Sequence, residues 1–157
     1  MTIREINPEY REEVNRILKA EWDCPPSISR GRAIDTTALP GFVSLADTGI
    51  TGVITYNIEG EKCEIVTLNS FDENKGIGTA LIHAVLTAAK KRGCHTLWLI
   101  TTNDDTGAIR FYQKRGFDLV AVHINAIEES RRIKPSIPLV GMHGIPIKHE
   151  FEFEMTL

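Results

Sequence analysis

The chain has 157 residues, 42% of them hydrophobic and 25% charged, with a formal net charge of −3. This is globular composition at the length of one domain, which excludes a disordered, collagen-like or coiled-coil chain, and the acidic balance argues against nucleic-acid binding. The longest unbroken apolar runs, Leu97 to Ile100 and Leu119 to Val122, are too short to span a bilayer.

Arg4 and Glu5 fall where a secretory signal would be apolar, so a cytoplasmic protein is expected. Cys24, Cys63 and Cys94 are odd in number, far apart and without a C-x-x-C pair. They are expected to be free, mostly buried thiols. The histidines at 83, 95, 123, 143 and 149 show no metal-site spacing, so no metal is expected.

Asn7-Pro8 reads as a helix start, with Asn as the cap and Pro in the first turn. Tyr10, Val14, Ile17 and Leu18 follow at helical spacing to about Trp22, and Cys24-Pro25-Pro26 stops the helix. Residues 25–40 read as a polar loop containing Ser29-Arg30-Gly31-Arg32. Phe42 to Ala46, Ile50 to Ile58 and Cys63 to Leu68 read as a meander of three antiparallel strands.

Ile77, Ala80, Leu81, Ala84, Val85, Ala88 and Ala89 repeat at the period of an amphipathic helix, which Lys90-Lys91-Arg92-Gly93 closes. Thr96 to Thr101 reads as a strand buried on both faces. A short helix follows, with Asp104 or Asp105 near its start and Gly116 at its end. Phe117 to Ile124 is the next strand, and residues 127–134 make one or two helical turns. Residues 135–148, with three prolines and two glycines, read as a long loop, and Phe151 to Met155 alternates as a closing strand. That strand could pair within the chain or between chains, so monomer and homodimer both stay open. The order β-α-β-β-β-α-β-α-β-β makes a mixed α/β domain covering residues 1–157.

The chemistry concentrates at Glu73-Asn74-Lys75-Gly76-Ile77-Gly78-Thr79, between a strand and the strongest helix. Gly76 and Gly78 let a ligand approach the backbone, and the helix dipole stands behind the first N–H groups. Such a turn suits a phosphate or pyrophosphate. It is not a dinucleotide fingerprint, because Leu81 takes the place of the third glycine or alanine. It is not a P-loop, because Thr79 follows Gly78 where Lys is required. A plain strand-to-helix turn is the competing reading of the glycines alone.

A second pattern, Asp105-x-x-Ala108-x-x-x-Tyr112 followed by Gly116-Phe117, completes a pair of motifs that resembles the GNAT superfamily of acyl-CoA-dependent N-acyltransferases. Its members carry Gln/Arg-x-x-Gly-x-Gly/Ala and, later, Asn-x-x-Ala-x-x-x-Tyr with Gly-Phe. The resemblance covers residues 42–125. Leu97 to Phe117 and the tail Lys134 to Pro138 also resemble many bacterial proteins of that family. The chain departs from the family at Glu73, which replaces Gln or Arg, and at Asp105, which replaces Asn; Asn103 stands two residues from the latter.

The resemblance implies a mostly antiparallel mixed sheet of six to seven strands, splayed in the middle and flanked by about four helices. It implies an N-acetyltransferase that moves acetyl from acetyl-CoA directly to a primary amine of a small molecule or peptide, in a ternary complex. Leu68, Asn69 and Ser70 would follow the pantetheine arm. The backbone of Asn74, Lys75, Gly76, Ile77, Gly78 and Thr79 would hold the pyrophosphate, with Asn103, Asp105, Ala108 and Tyr112 also lining the donor site. Tyr112 is the candidate acid for the departing thiolate, against a core-aromatic reading beside Phe111. Glu64 is the candidate base, against a solvent-facing reading on its strand, and a water relay is a third route. An acyl-CoA-binding regulatory or interaction module without catalysis is the alternative function, favoured by Glu73 and Asp105. The loops at 23–41 and 126–148, with Arg30, Arg32 and Lys134, would border the acceptor.

Overall fold

A computed structural model describes residues 1–22, 27–29 and 31–157, so the expectations placed on Cys24, Pro25, Pro26 and Arg30 lie outside the described residues. The elements are β1 (Thr2–Glu5), α1 (Pro8–Trp22), β2 (Ser27–Ser29), β3 (Arg32–Ile34), β4 (Gly41–Ala46), β5 (Gly49–Glu59), β6 (Lys62–Ser70), α2 (Ile77–Lys91), β7 (Thr96–Thr102), α3 (Thr106–Lys114), β8 (Asp118–His123), α4 (Ala126–Ile133) and β9 (Glu150–Thr156). The chain divides into two compact units. One is built from Met1–Pro25, Asp35–Leu97 and Thr156–Leu157, the other from Pro26–Ile34 and Trp98–Met155. No helix among the described residues is long and apolar enough to cross a membrane.

In the first unit the strand order is β1-β4-β5-β6, and every neighbouring pair is antiparallel. Asn7 caps α1 as its residue type predicts: its Oδ1 accepts from the Glu9 N–H at 2.9 Å. Val14 and Leu18 on α1 pack with Val43 of β4 and Val53 of β5, framed by Ile6, Tyr10, Ile17, Leu45 and Ile50. Val43 and Val53 are register partners, so their side chains share one face, and α1 covers it. The next residue, Gly52, points to the other face. A Cβ there would stand 2.6 Å from Ile77 Cγ2 and 3.1 Å from Leu81 Cδ1. The missing side chain lets α2 lie directly on β5, where Ile77, Leu81, Ile82, Val85 and Ala89 bury its apolar stripe.

In the second unit the order is β7-β9-β8, and β9 pairs antiparallel with β8, Leu119 opposite Phe153 and Val122 opposite Phe151. The closing strand therefore pairs within the chain. Its core holds Phe117 and Phe153, both fully buried, with Tyr112 and Ile127.

Three expectations are corrected here. Residues 25–40 are not simply a loop: β2 and β3 form a separate hairpin, with Ile28 opposite Ala33. Three-residue strands are too short to leave a two-residue hydrophobic pattern. β7 is not buried on both faces: Leu97 and Leu99 are buried, whereas Trp98 and Ile100 are half-buried. On the second face the Arg32 guanidinium lies over the Trp98 ring, 5.6 Å from its centroid. Within 135–148 a 3-10 turn, Met142–Gly144, and a bridge between Val140 and Pro146 order part of the expected loop.

Candidate functional site

In the first unit the candidate residues run up β6 and through the turn into α2. Leu68 and Asn69 are half-buried, Ser70 through Gly76 are exposed, and Ile77 and Gly78 are buried in the first helical turn. Gly76 is the residue before α2, with φ 74 and ψ 13. This left-handed conformation favours glycine. No side chain caps the helix and no acid sits in its first turn. Nothing stands within 4 Å of where a Gly76 Cβ would be, and Asn74 also has positive φ, at 63. The turn thus presents a helix start that no side chain caps, with the positive end of the dipole and open space beside Gly76. Glu73 in this turn is exposed.

The β5–β6 ladder carries an irregularity that decides which β6 side chains share a face. Thr55 lies opposite Thr67 and Tyr56 opposite Ile65, so Val66 is an extra residue on β6. Beyond the bulge Glu64 stands opposite Asn57. Val53, Thr55 and Asn57 alternate onto one face of β5. Their partners Asn69, Thr67 and Glu64 therefore share that face, the one α1 covers. Thr55 and Thr67 are joined through their hydroxyls at 2.6 Å. Glu64 is 4% exposed, so the solvent-facing reading of this residue is overturned. The same face carries Trp22 at the end of α1, whose Nε1 donates to Asn69 Oδ1 at 2.6 Å.

Cys63 and Cys94 are free and buried. Burial, aided by Cys94 and Glu64 nearby, pushes the Cys63 thiol up to about 12. A thiol held protonated is a poor nucleophile.

In the second unit Asp105 caps α3, its Oδ1 accepting from the Ala108 N–H at 3.0 Å. Of the two aspartates this is the cap. Asp104 is buried and accepts from the Met142 N–H through Oδ2 at 3.0 Å. Asn103 donates from Nδ2 to the Pro146 carbonyl at 2.9 Å, and its Oδ1 accepts from the N–H groups of Lys148 and His149, each at 2.9 Å. Asn103 and Asp104 thus tie the segment from Met142 to His149 to the end of β7. No spacing in the sequence marks these long-range bonds.

Tyr112 is buried in an aromatic cluster. Its ring meets Phe111 edge-on at 5.3 Å and Phe117 at 5.5 Å, and lies tilted to Phe153 at 6.4 Å. Burial, with a smaller push from Asp105, raises its phenol well above the ordinary tyrosine range, so it is fully protonated at neutral pH. His123 contacts Glu152 at 3.0 Å, and exposed His95 lies 3.6 Å from Glu61. Among the described residues no three His, Cys, Asp or Glu side chains group to hold a metal.

The model of the acetyltransferase (GNAT) family matches residues 4–117. YdhI of Bacillus subtilis, an uncharacterized protein, is 45% identical over 137 residues, covering 87% of this chain and 86% of its own. The fold is similar to that of an IAA acetyltransferase from Bacillus cereus (TM-score 0.77, 20% identity, 99% of each chain). It is also similar to a GNAT family acetyltransferase from Elizabethkingia anophelis with acetyl-CoA bound (TM-score 0.71, 19% identity, 99% and 97%). The chain belongs to the GNAT acetyltransferase family and has its mixed α/β fold.

Proposed function

We propose that this protein is an N-acetyltransferase that moves the acetyl group of acetyl-CoA directly to a primary amine, with both substrates bound together. The observation that carries the reading is the start of α2 at Gly76, which no side chain caps and whose dipole suits an anion such as the donor's pyrophosphate. The family match supports it, as does acetyl-CoA bound in the E. anophelis neighbour.

Asn74, Lys75, Gly76, Ile77, Gly78 and Thr79 hold the pyrophosphate through the backbone, and Leu68, Asn69 and Ser70 border the pantetheine arm. Asp105 and Ala108 act by shaping the start of α3, since the Asp105 side chain is engaged as its cap, and Asn103 acts by holding residues 146–149 to the end of β7. Acetyl-CoA supplies an activated thioester, and transfer forms a C–N bond as the C–S bond breaks. Glu64, buried on β6, takes the proton the amine must lose. Tyr112 gives the proton that the sulfur gains. The acceptor is a small-molecule or peptide amine, and the reaction is cytoplasmic. Its aromatic packing favours a second reading of Tyr112, as a core residue with the thiolate protonated by water.

Thermal unfolding with added acetyl-CoA tests the reading. Ligand at about 100 times its Kd adds ~2.7 kcal/mol of stability. A saturable rise in Tm supports the donor site and justifies an acceptor screen by thiol release. No rise at millimolar ligand overturns it.

A further inference from the structure

The end of α1 reaches the outgoing end of β6. Trp22, its last residue, is bonded through Nε1 to Asn69 Oδ1 at 2.6 Å. Asn69 lies opposite Val53, whose side chain packs under α1, so the indole stands on the α1-covered face. Tethered by this short bond, Trp22 still remains 41% exposed. Phe71, two positions beyond Asn69, continues the ladder by donating its N–H to the Thr51 carbonyl at 2.9 Å. It lies just past the end of β6 and is 43% exposed. Two large exposed aromatics at one strand end, one held in orientation by a hydrogen bond, are a binding feature more than a packing one. They border the residues that lead from Ser70 into the Gly76 turn.

We infer that Trp22, oriented by Asn69, is a wall for the pantetheine arm of the acyl donor, where the arm passes from the Gly76 turn onto β6. The inference rests on the acetyl-CoA reading above and deepens it. The indole face buries the arm's methylene and gem-dimethyl groups. The Asn69 amide, with its oxygen taken by the indole, turns its Nδ2 donors toward an arm carbonyl. Holding Trp22 in place beforehand removes part of the ordering cost of binding.

Trp22 and Trp98 are the only tryptophans, so in Trp98→Phe protein all indole emission comes from Trp22. This protein is titrated with CoA and, separately, with adenosine diphosphate, which has the pyrophosphate but lacks the arm. Emission and Tm are read on the same samples. CoA is expected to raise Tm and change the emission together, saturating at one concentration, while adenosine diphosphate leaves the emission unchanged. Trp22→Ala is expected to weaken CoA about tenfold, the factor given by losing tens of Å² of apolar contact. Trp22→Phe, which keeps a ring but not the N–H, falls between. A Tm rise with CoA and no emission change overturns the inference while leaving the acetyl-CoA reading intact. An equal emission change with both nucleotides overturns it in favour of adenine stacking. No Tm rise with CoA, in this variant or the parent, removes both readings.

Discussion

Glu64 stands opposite Asn57 on the β5–β6 ladder, and the extra residue Val66 turns it onto the face that also carries Asn69. Without the bulge, the two-residue period of a strand would place an even-numbered Glu64 on the opposite face from an odd-numbered Asn69. The bulge thus gathers a buried carboxylate, the Thr55–Thr67 hydroxyl pair and the Asn69–Trp22 pair on one strip of β6. If Glu64 is the base, the isosteric Glu64→Gln removes proton acceptance with little change of shape. Turnover at neutral pH should fall by ~10²–10⁴-fold, while the acetyl-CoA-induced rise in Tm stays at the parent value. Thiol-release kinetics beside melting curves check both halves. Unchanged turnover would assign the deprotonation to water.

Tyr112→Phe separates the two readings of Tyr112. The variant keeps the ring that meets Phe111, Phe117 and Phe153 and loses only the hydroxyl. As the acid, Tyr112 should cost ~10²–10⁴-fold in transfer when replaced, with acetyl-CoA binding retained. A wild-type rate would make it a core aromatic.

Most of the architecture is legible in the sequence because its signals are long. The seven apolar positions of α2 repeat over several turns, and the last turn of that helix carries the expected cations, Lys90 and Lys91. Asn7 and Asp105 bond as caps in the way their side chains predict. What escapes is local or long-range. β2 and β3 are too short to show a period, and a bulged residue has no sequence signature, so Glu64 reads as a surface residue. The bonds from Asn103 and Asp104 to residues 142–149 cross about 40 positions, and no local pattern encodes them.

The cap of α3 is a stability element that can be isolated. Asp105→Ala removes the acceptor of the Ala108 N–H and should cost ~1 kcal/mol, whereas Asp105→Asn, which restores the family's usual residue, should cost a few tenths at most. Urea unfolding of the three proteins measures it. An Asn variant that also tightened acetyl-CoA would show that the carboxylate disfavours the donor.

Cys63 sets an alkaline limit. In the unfolded chain a thiol ionises near pH ~8.5, whereas in the fold burial lifts Cys63 to about 12. A group with a raised folded pKa stabilises the fold fully below the unfolded value. As pH climbs through the window between the two, the unfolded state releases a proton that the native state keeps, so stability falls by ~1.4 kcal/mol per pH unit. Denaturant unfolding between pH 8 and 11 should show this slope, and Cys63→Ala, though less stable at neutral pH, should flatten it. An equal slope in the variant would assign the alkaline loss to other groups, Tyr112 first.

Gly76 should divide stability from binding. Its φ of 74 is strained for alanine, which costs ~1–2 kcal/mol, but no neighbour lies within 4 Å to clash. Gly76→Ala therefore loses about that much stability, and if the donor's pyrophosphate packs against this turn, the added methyl crowds it. Asparagine tolerates left-handed backbone better than alanine, so Gly76→Asn should recover part of the stability while adding a larger side chain to the turn. Acetyl-CoA affinity should drop in both variants, and more than stability does in Gly76→Asn, as read by calorimetric titration beside urea unfolding. Parent-like affinity in Gly76→Asn would mean that the donor's pyrophosphate does not sit in front of α2.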